Sequence, residues 1–98
     1  MLYVMVMKWQ PGLNREQRDG ALIRRAQWKY PDAATVLGEY WPASEQVAVI
    51  SILETDDYGA IMEIHLTWGD VFQIDTTPAI SAEDGLRVGA EAMARRSV

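Results

Sequence analysis

The sequence predicts an α+β domain with four antiparallel strands and two helices in the order βαββαβ, followed by one appended helix. Three observations predict it. Leu2 to Trp9 and Gln46 to Glu54 are apolar on both faces, as strands in the middle of a sheet are. Asn14, with Gln17 three residues on, is a capping signal that opens a helix after the first of these strands. Ile61, Ile64, His65 and Trp68 then recur at helical spacing, just ahead of an alternating strand over 71–77.

Taken in order, the first strand divides into two unlike faces. Leu2, Val4 and Val6 are aliphatic and suited to packing under helices, whereas Tyr3, Met5, Met7 and Trp9 are larger and more polarisable. Pro11-Gly12 marks a turn. The first helix is expected from about Arg15 to Trp28, with Leu22, Ala26 and either Ala21 or Ile23 inward; Gly20 at its centre costs about 1 kcal/mol relative to Ala. Pro31-Asp32 ends the connection. Thr35 to Trp41 and Gln46 to Glu54 form a hairpin around 42–45. Ser51 interrupts one face of its second strand. Either Tyr40 or the pair Glu39 and Trp41 shares that side, and a one-residue slip exchanges them. Thr55-Asp56-Asp57 caps the second helix. After Gly69-Asp70 the last strand sets Phe72, Ile74 and Thr76 on one face and Val71, Gln73, Asp75 and Thr77 on the other, with Pro78 closing it. Ser81 to Asp84 caps a final helix of about Ala82 to Arg95, whose apolar content is only Leu86, Val88 and Met93 among smaller residues.

Two βαβ units joined through a hairpin give the split βαβ, or ferredoxin-like, arrangement, with the first and third strands central. Two helices cover one face of such a sheet. The other is expected to carry Tyr3, Met5, Met7, Trp9, Val49 and Leu53, too apolar to be left in water. A homodimer whose sheets pack face to face around a barrel-like space covers it most economically. The domain proper is expected over 1–80, with 81–98 a C-terminal helix or tail.

Composition narrows the function classes. Nine basic against fourteen acidic residues give a net charge of −5, which opposes nucleic-acid or anionic-membrane partners. Arg15, Arg18, Arg24, Arg25 and Lys29 read as a solvated helix face. The chain has no cysteine, which removes disulfides, thiolate catalysis and thiolate metal sites. The apolar start has no basic leader or cleavage site and is too short to span a bilayer, so a soluble, cytoplasmic protein is expected. No glycine-rich phosphate loop or nucleophile elbow is present, and no cofactor or metal is expected.

Few residues can carry chemistry. His65, the sole histidine, suits a general base or haem ligand, or else a packed and hydrogen-bonded core position. Asp75 is either a desolvated carboxylate facing the barrel, able to take a proton from a small carbonyl compound, or a solvated charge guarding a sheet edge, and Glu39 admits the same two readings. Tyr3, Met5, Met7, Trp9, Tyr40 and Trp68, with Ser51 and Gln73, are candidates to line a pocket for a flat hydrophobic ligand, or to be the dimer core.

Four motifs, in this order and spacing, complete the reading. They are Met-Leu-Tyr-Val-Met…Lys-Trp…Pro-Gly, Val-Leu-Gly-Glu-Tyr-Trp, Glu-Thr-Asp-Asp-Tyr-Gly-Ala, and Trp-Gly-Asp-Val-Phe-Gln-Ile-Asp-Thr-Thr-Pro-Ala-Ile. Over about residues 1 to 80 the chain resembles the bacterial domain-of-unknown-function family 3303, of the dimeric α+β barrel superfamily. The resemblance implies a ferredoxin-like dimer and transfers no catalytic residue. The wider superfamily includes cofactor-independent monooxygenases, small-molecule isomerases and haem-degrading enzymes, and members without assigned chemistry. The expectation is a small homodimer that binds a hydrophobic organic molecule between its sheets, with a monooxygenase- or isomerase-like step left open. The alternative is a non-catalytic dimerisation or accessory module without a ligand pocket.

Overall fold

A computed structural model describes residues 1–97. Strands β1 (Leu2–Trp9), β2 (Thr35–Tyr40), β3 (Val47–Glu54) and β4 (Phe72–Ala79) form one antiparallel sheet in the order β2-β3-β1-β4. Helices α1 (Arg15–Gln27) and α2 (Tyr58–Trp68) are the two crossovers, and α3 (Ala82–Arg96) follows the sheet. The two strands that are apolar on both faces are therefore the central pair, and the topology is ferredoxin-like.

Local chemistry sets the element ends. Asn14 and Gln17 make a reciprocal capping box on α1, each side chain taking the other's backbone N–H at 2.9 Å. Asp57 caps α2 by accepting from the Gly59 N–H, and Ser81 caps α3 by accepting from the Asp84 N–H. Gly12 takes the positive φ of 82° that the turn after β1 requires. Pro78 does not end β4: it stays in register opposite Tyr3. An edge strand tolerates it, because one side of that strand has no partner to donate to.

The sheet is open. Strands β2 and β4 are its two edges and do not pair with each other, so the fold is α+β with a four-stranded open sheet and three helices rather than a closed barrel. The expected sides are also reversed. Met5, Met7 and Leu53 are buried beneath α1 and α2 together with Ala21, Ile61, Ile64, Trp68 and Phe72, and Tyr3, Trp9 and Val49 pack against them. Leu2, Val4 and Val6 lie half-buried on the opposite face with Ile50 and Ile52. Side-chain length is the reason. Helix α1 buries only Ala21, so long methionine and aromatic side chains must rise from the sheet to meet it. The surface expected to need a second sheet is thus the one the chain's own helices cover. Neither the barrel nor a homodimer built around it stands.

Helix α3 is an outlier. None of its residues is buried, and its side-chain hydrogen bonds and ion pairs among the described residues stay within α3 and its caps. The radius of gyration is 16.7 Å, against about 13 Å for a compact chain of this length. Among the described residues no helix is long and apolar enough to cross a membrane.

Candidate functional site

The site grows from the mismatch between α1 and the sheet. An inward face made of Ala21 and arginine stems cannot seat closely on a sheet floored by rings. A cleft of about 280 Å³ is left between them, bordered by Met7, Trp9, Val49 and Phe72 of the sheet, by Trp68 at the end of α2, and by Arg18, Ala21, Leu22 and Arg25 of α1. A continuous row of rings runs along it, with Trp9, Phe72, Trp68 and Tyr30 on the cleft and Trp28 behind them. Trp9 lies 4.9 Å from Phe72, Phe72 5.7 Å from Trp68, Trp68 5.6 Å from Trp28, and Trp28 4.6 Å from Tyr30, centroid to centroid. These separations are those of favourable tilted and edge-on ring pairs.

Three arginines of α1 cap this row of rings. Arg18 lies 5.0 Å above Trp9, Arg24 lies 4.5 Å above Trp68, and Arg25 lies 5.5 Å from both Trp28 and Tyr30. Their ordinary reading as a solvated face misses this. Arg24 also donates to both carboxylate oxygens of Asp70 and to the Thr67 carbonyl.

The inner end of the cleft is polar and centred on Glu39. Its carboxylate accepts from Arg25 Nη2 at 2.8 Å and Nε at 3.1 Å, from the Tyr30 hydroxyl at 2.5 Å, and from Trp41 Nε1 at 2.8 Å. Tyr30 Oη also lies 3.0 Å from Ser51 Oγ, which is fully buried. Glu39 stands opposite Ser51 in the β2–β3 ladder, which settles the register: Glu39 faces the cleft, and Tyr40 faces away. Burial pushes the Glu39 carboxyl up, but hydrogen bonds from Arg25, Tyr30 and Trp41 outweigh it and hold the group below its ordinary value. Burial, and then the bond to Glu39, push the Tyr30 phenol up to about 12. The hydrogen bond to Glu39 raises Arg25, against its own desolvation. The result is a fixed ion pair with a protonated phenol beside it.

Of the residues singled out from sequence, Met7, Trp9 and Trp68 border this cleft. Tyr3 and Met5 share its side of the sheet but belong to the core, and Ser51 reaches it only through Tyr30. Tyr40 is on the other face, 61% exposed, with its ring over Gly38, where an added Cβ would come within 2.8 Å of the ring. Gln73 and Asp75 are exposed on that same open face, in register with Lys8 and Val6. His65 is half-buried between α2 and β4, with Nε2 2.7 Å from Thr76 Oγ1, and lies outside the cleft. Among the described residues no three acidic or histidine side chains stand together to hold a metal ion. Arg25, Tyr30 and Glu39 were not visible as a unit in the sequence. The signals were Glu39, readable as a carboxylate facing inward or as a solvated charge, and Ser51, a hydroxyl interrupting an apolar strand face; buried hydroxyls take partners.

A family model described as "Domain of unknown function (DUF3303)" matches residues 1–93, which takes in most of α3 as well as the sheet and its two covering helices. No curated protein matches the chain.

Proposed function

The chain belongs to the DUF3303 family, whose description assigns no chemistry, and from the geometry we propose that it binds a small, planar, largely apolar organic molecule in the cleft between α1 and the sheet. The observation that carries this is the cleft itself, about 280 Å³ of space walled by Trp9, Phe72 and Trp68 and closed at one end by the Arg25–Glu39–Tyr30 network. A continuous aromatic wall with a few convergent polar groups is the usual make-up of a small-molecule site, and the volume suits a ligand of one or two fused rings. The binding space lies within one chain, between helix and sheet. The carboxylate and phenol at its inner end are engaged with each other, so they orient a ligand rather than exchange protons with it.

A thermal-shift titration with 2-naphthol tests this. At about a hundredfold excess over the dissociation constant, mass action adds about 2.7 kcal/mol, a rise in Tm of about 13 °C for a domain of this size. Ala21→Phe fills the cleft from its 4%-exposed position on α1 and should abolish the rise; Leu22→Trp, at the half-open rim, should weaken it without loss of fold. A rise that is equal in all three proteins would refute the proposal.

A further inference from the structure

Three arginines lie over the aromatic row, and two are already committed. Arg24 is held by Asp70 and the Thr67 carbonyl, and Arg25 by Glu39 and the Trp28 carbonyl. Arg18 differs. Among the described residues its guanidinium has no hydrogen-bond or ion-pair partner; its one interaction is with the Trp9 ring, 5.0 Å away at the mouth of the cleft. A ring contact at this distance takes none of the guanidinium's five N–H donors into a hydrogen bond. Those donors are therefore open to a planar anion where a molecule lying along Trp9 and Phe72 would end.

On the premise that the cleft is the binding site, we infer that its ligand is an aromatic or polycyclic anion whose carboxylate, or an equivalent planar oxyanion, seats on Arg18 while its rings lie along Trp9, Phe72 and Trp68. The other charges at the site agree with that polarity. Arg25 and Glu39 neutralise each other at the inner end. Among the described residues Asp19, beside Arg18 at the rim, has no side-chain hydrogen-bond or ion-pair partner, and it disfavours an anion only through water.

Calorimetric titrations with 2-naphthoate and its uncharged isostere 2-naphthamide test this, since the two differ in charge and hardly in shape. The wild-type protein should bind naphthoate about tenfold more tightly. Arg18→Gln should remove that preference and leave naphthamide within twofold, while Arg18→Lys keeps part of it. Asp19→Asn should tighten naphthoate about twofold, and raised salt should weaken naphthoate alone. Equal binding of the two probes, indifferent to Arg18→Gln, would overturn the anion assignment and leave the cleft as a site for neutral molecules. Weaker naphthoate binding in Asp19→Asn would overturn it as well. If neither probe binds, or both bind Ala21→Phe as well as wild type, the cleft itself is not the site and both conclusions fall.

Discussion

Glu39 is the residue on which the site's geometry turns, since it joins β2 to α1 through Arg25, to the 28–30 connection through Tyr30, and to its own strand end through Trp41. Its side chain is only 14% exposed, so replacing the charge leaves Arg25 half-buried without its partner. Glu39→Gln is expected to cost about 2 kcal/mol in urea unfolding, discounted from a fully buried pair because Arg25 still reaches water. The sign of the pH dependence follows from the shifts. Glu39 is lowered in the folded protein, so its contribution is complete above the ordinary glutamate range and is lost as pH falls through the folded value. Tyr30 is raised from 10.0 to about 12, so its contribution is complete below pH 10 and is lost as pH climbs between those values. Tyr30→Phe also strands the buried Ser51 hydroxyl. It should cost about 1–2 kcal/mol at pH 7, a gap to wild type that narrows between pH 10 and 12. A constant gap across that range would show that the phenol proton is not held as described. Of this network only Glu39 and Ser51 stood out in the sequence, each by itself. Ser51 interrupted an apolar face, but a one-residue ambiguity in the hairpin left Tyr40 and Glu39 interchangeable beside it, and only the β2–β3 pairing resolves it.

At the scale of elements the sequence was more informative, because periodicity and capping are local. The Asn14–Gln17 box, the Asp57 and Ser81 caps and the helical face of Ile61, Ile64 and Trp68 all lie where their spacing put them. Asn14→Ala should cost about 1 kcal/mol of stability and loosen the first turn of α1, seen as faster amide exchange at Gln17 and Arg18. Facing was not legible. Both sides of β1 are apolar, and the choice between them depends on what the covering helix offers. Helix α1 offers a single alanine, with Leu22 54% exposed and Ile23 turned to solvent. Long side chains therefore went beneath the helices and short aliphatic ones outside, the reverse of what size alone suggests. The same poverty of α1 leaves the cleft open, so the misassigned face and the candidate site have one cause.

For the whole molecule, an open sheet with α1 and α2 on one side replaces the expected barrel, and α3 extends from it without burying a residue. Fifteen residues of helix, about 22 Å long, therefore add little to the stability of the rest. Ending the chain at residue 81 should change the urea midpoint by no more than corresponds to about 0.5 kcal/mol; a loss of several kcal/mol would mean that α3 is part of the folding unit. Apolar surface also remains on the far side of the sheet, at Val4, Val6, Ile50 and Ile52. A small hydrophobic molecule thus has two chemically plausible destinations, and they lie on opposite faces of the same strands. Residue-resolved NMR during a titration with 2-naphthol separates them most directly. The indole N–H signals of Trp9, Trp41 and Trp68 should move together and saturate, with the backbone amides of Val4, Val6, Ile50 and Ile52 unchanged. Movement confined to those four amides, with the indoles still, would contradict the cleft as the site.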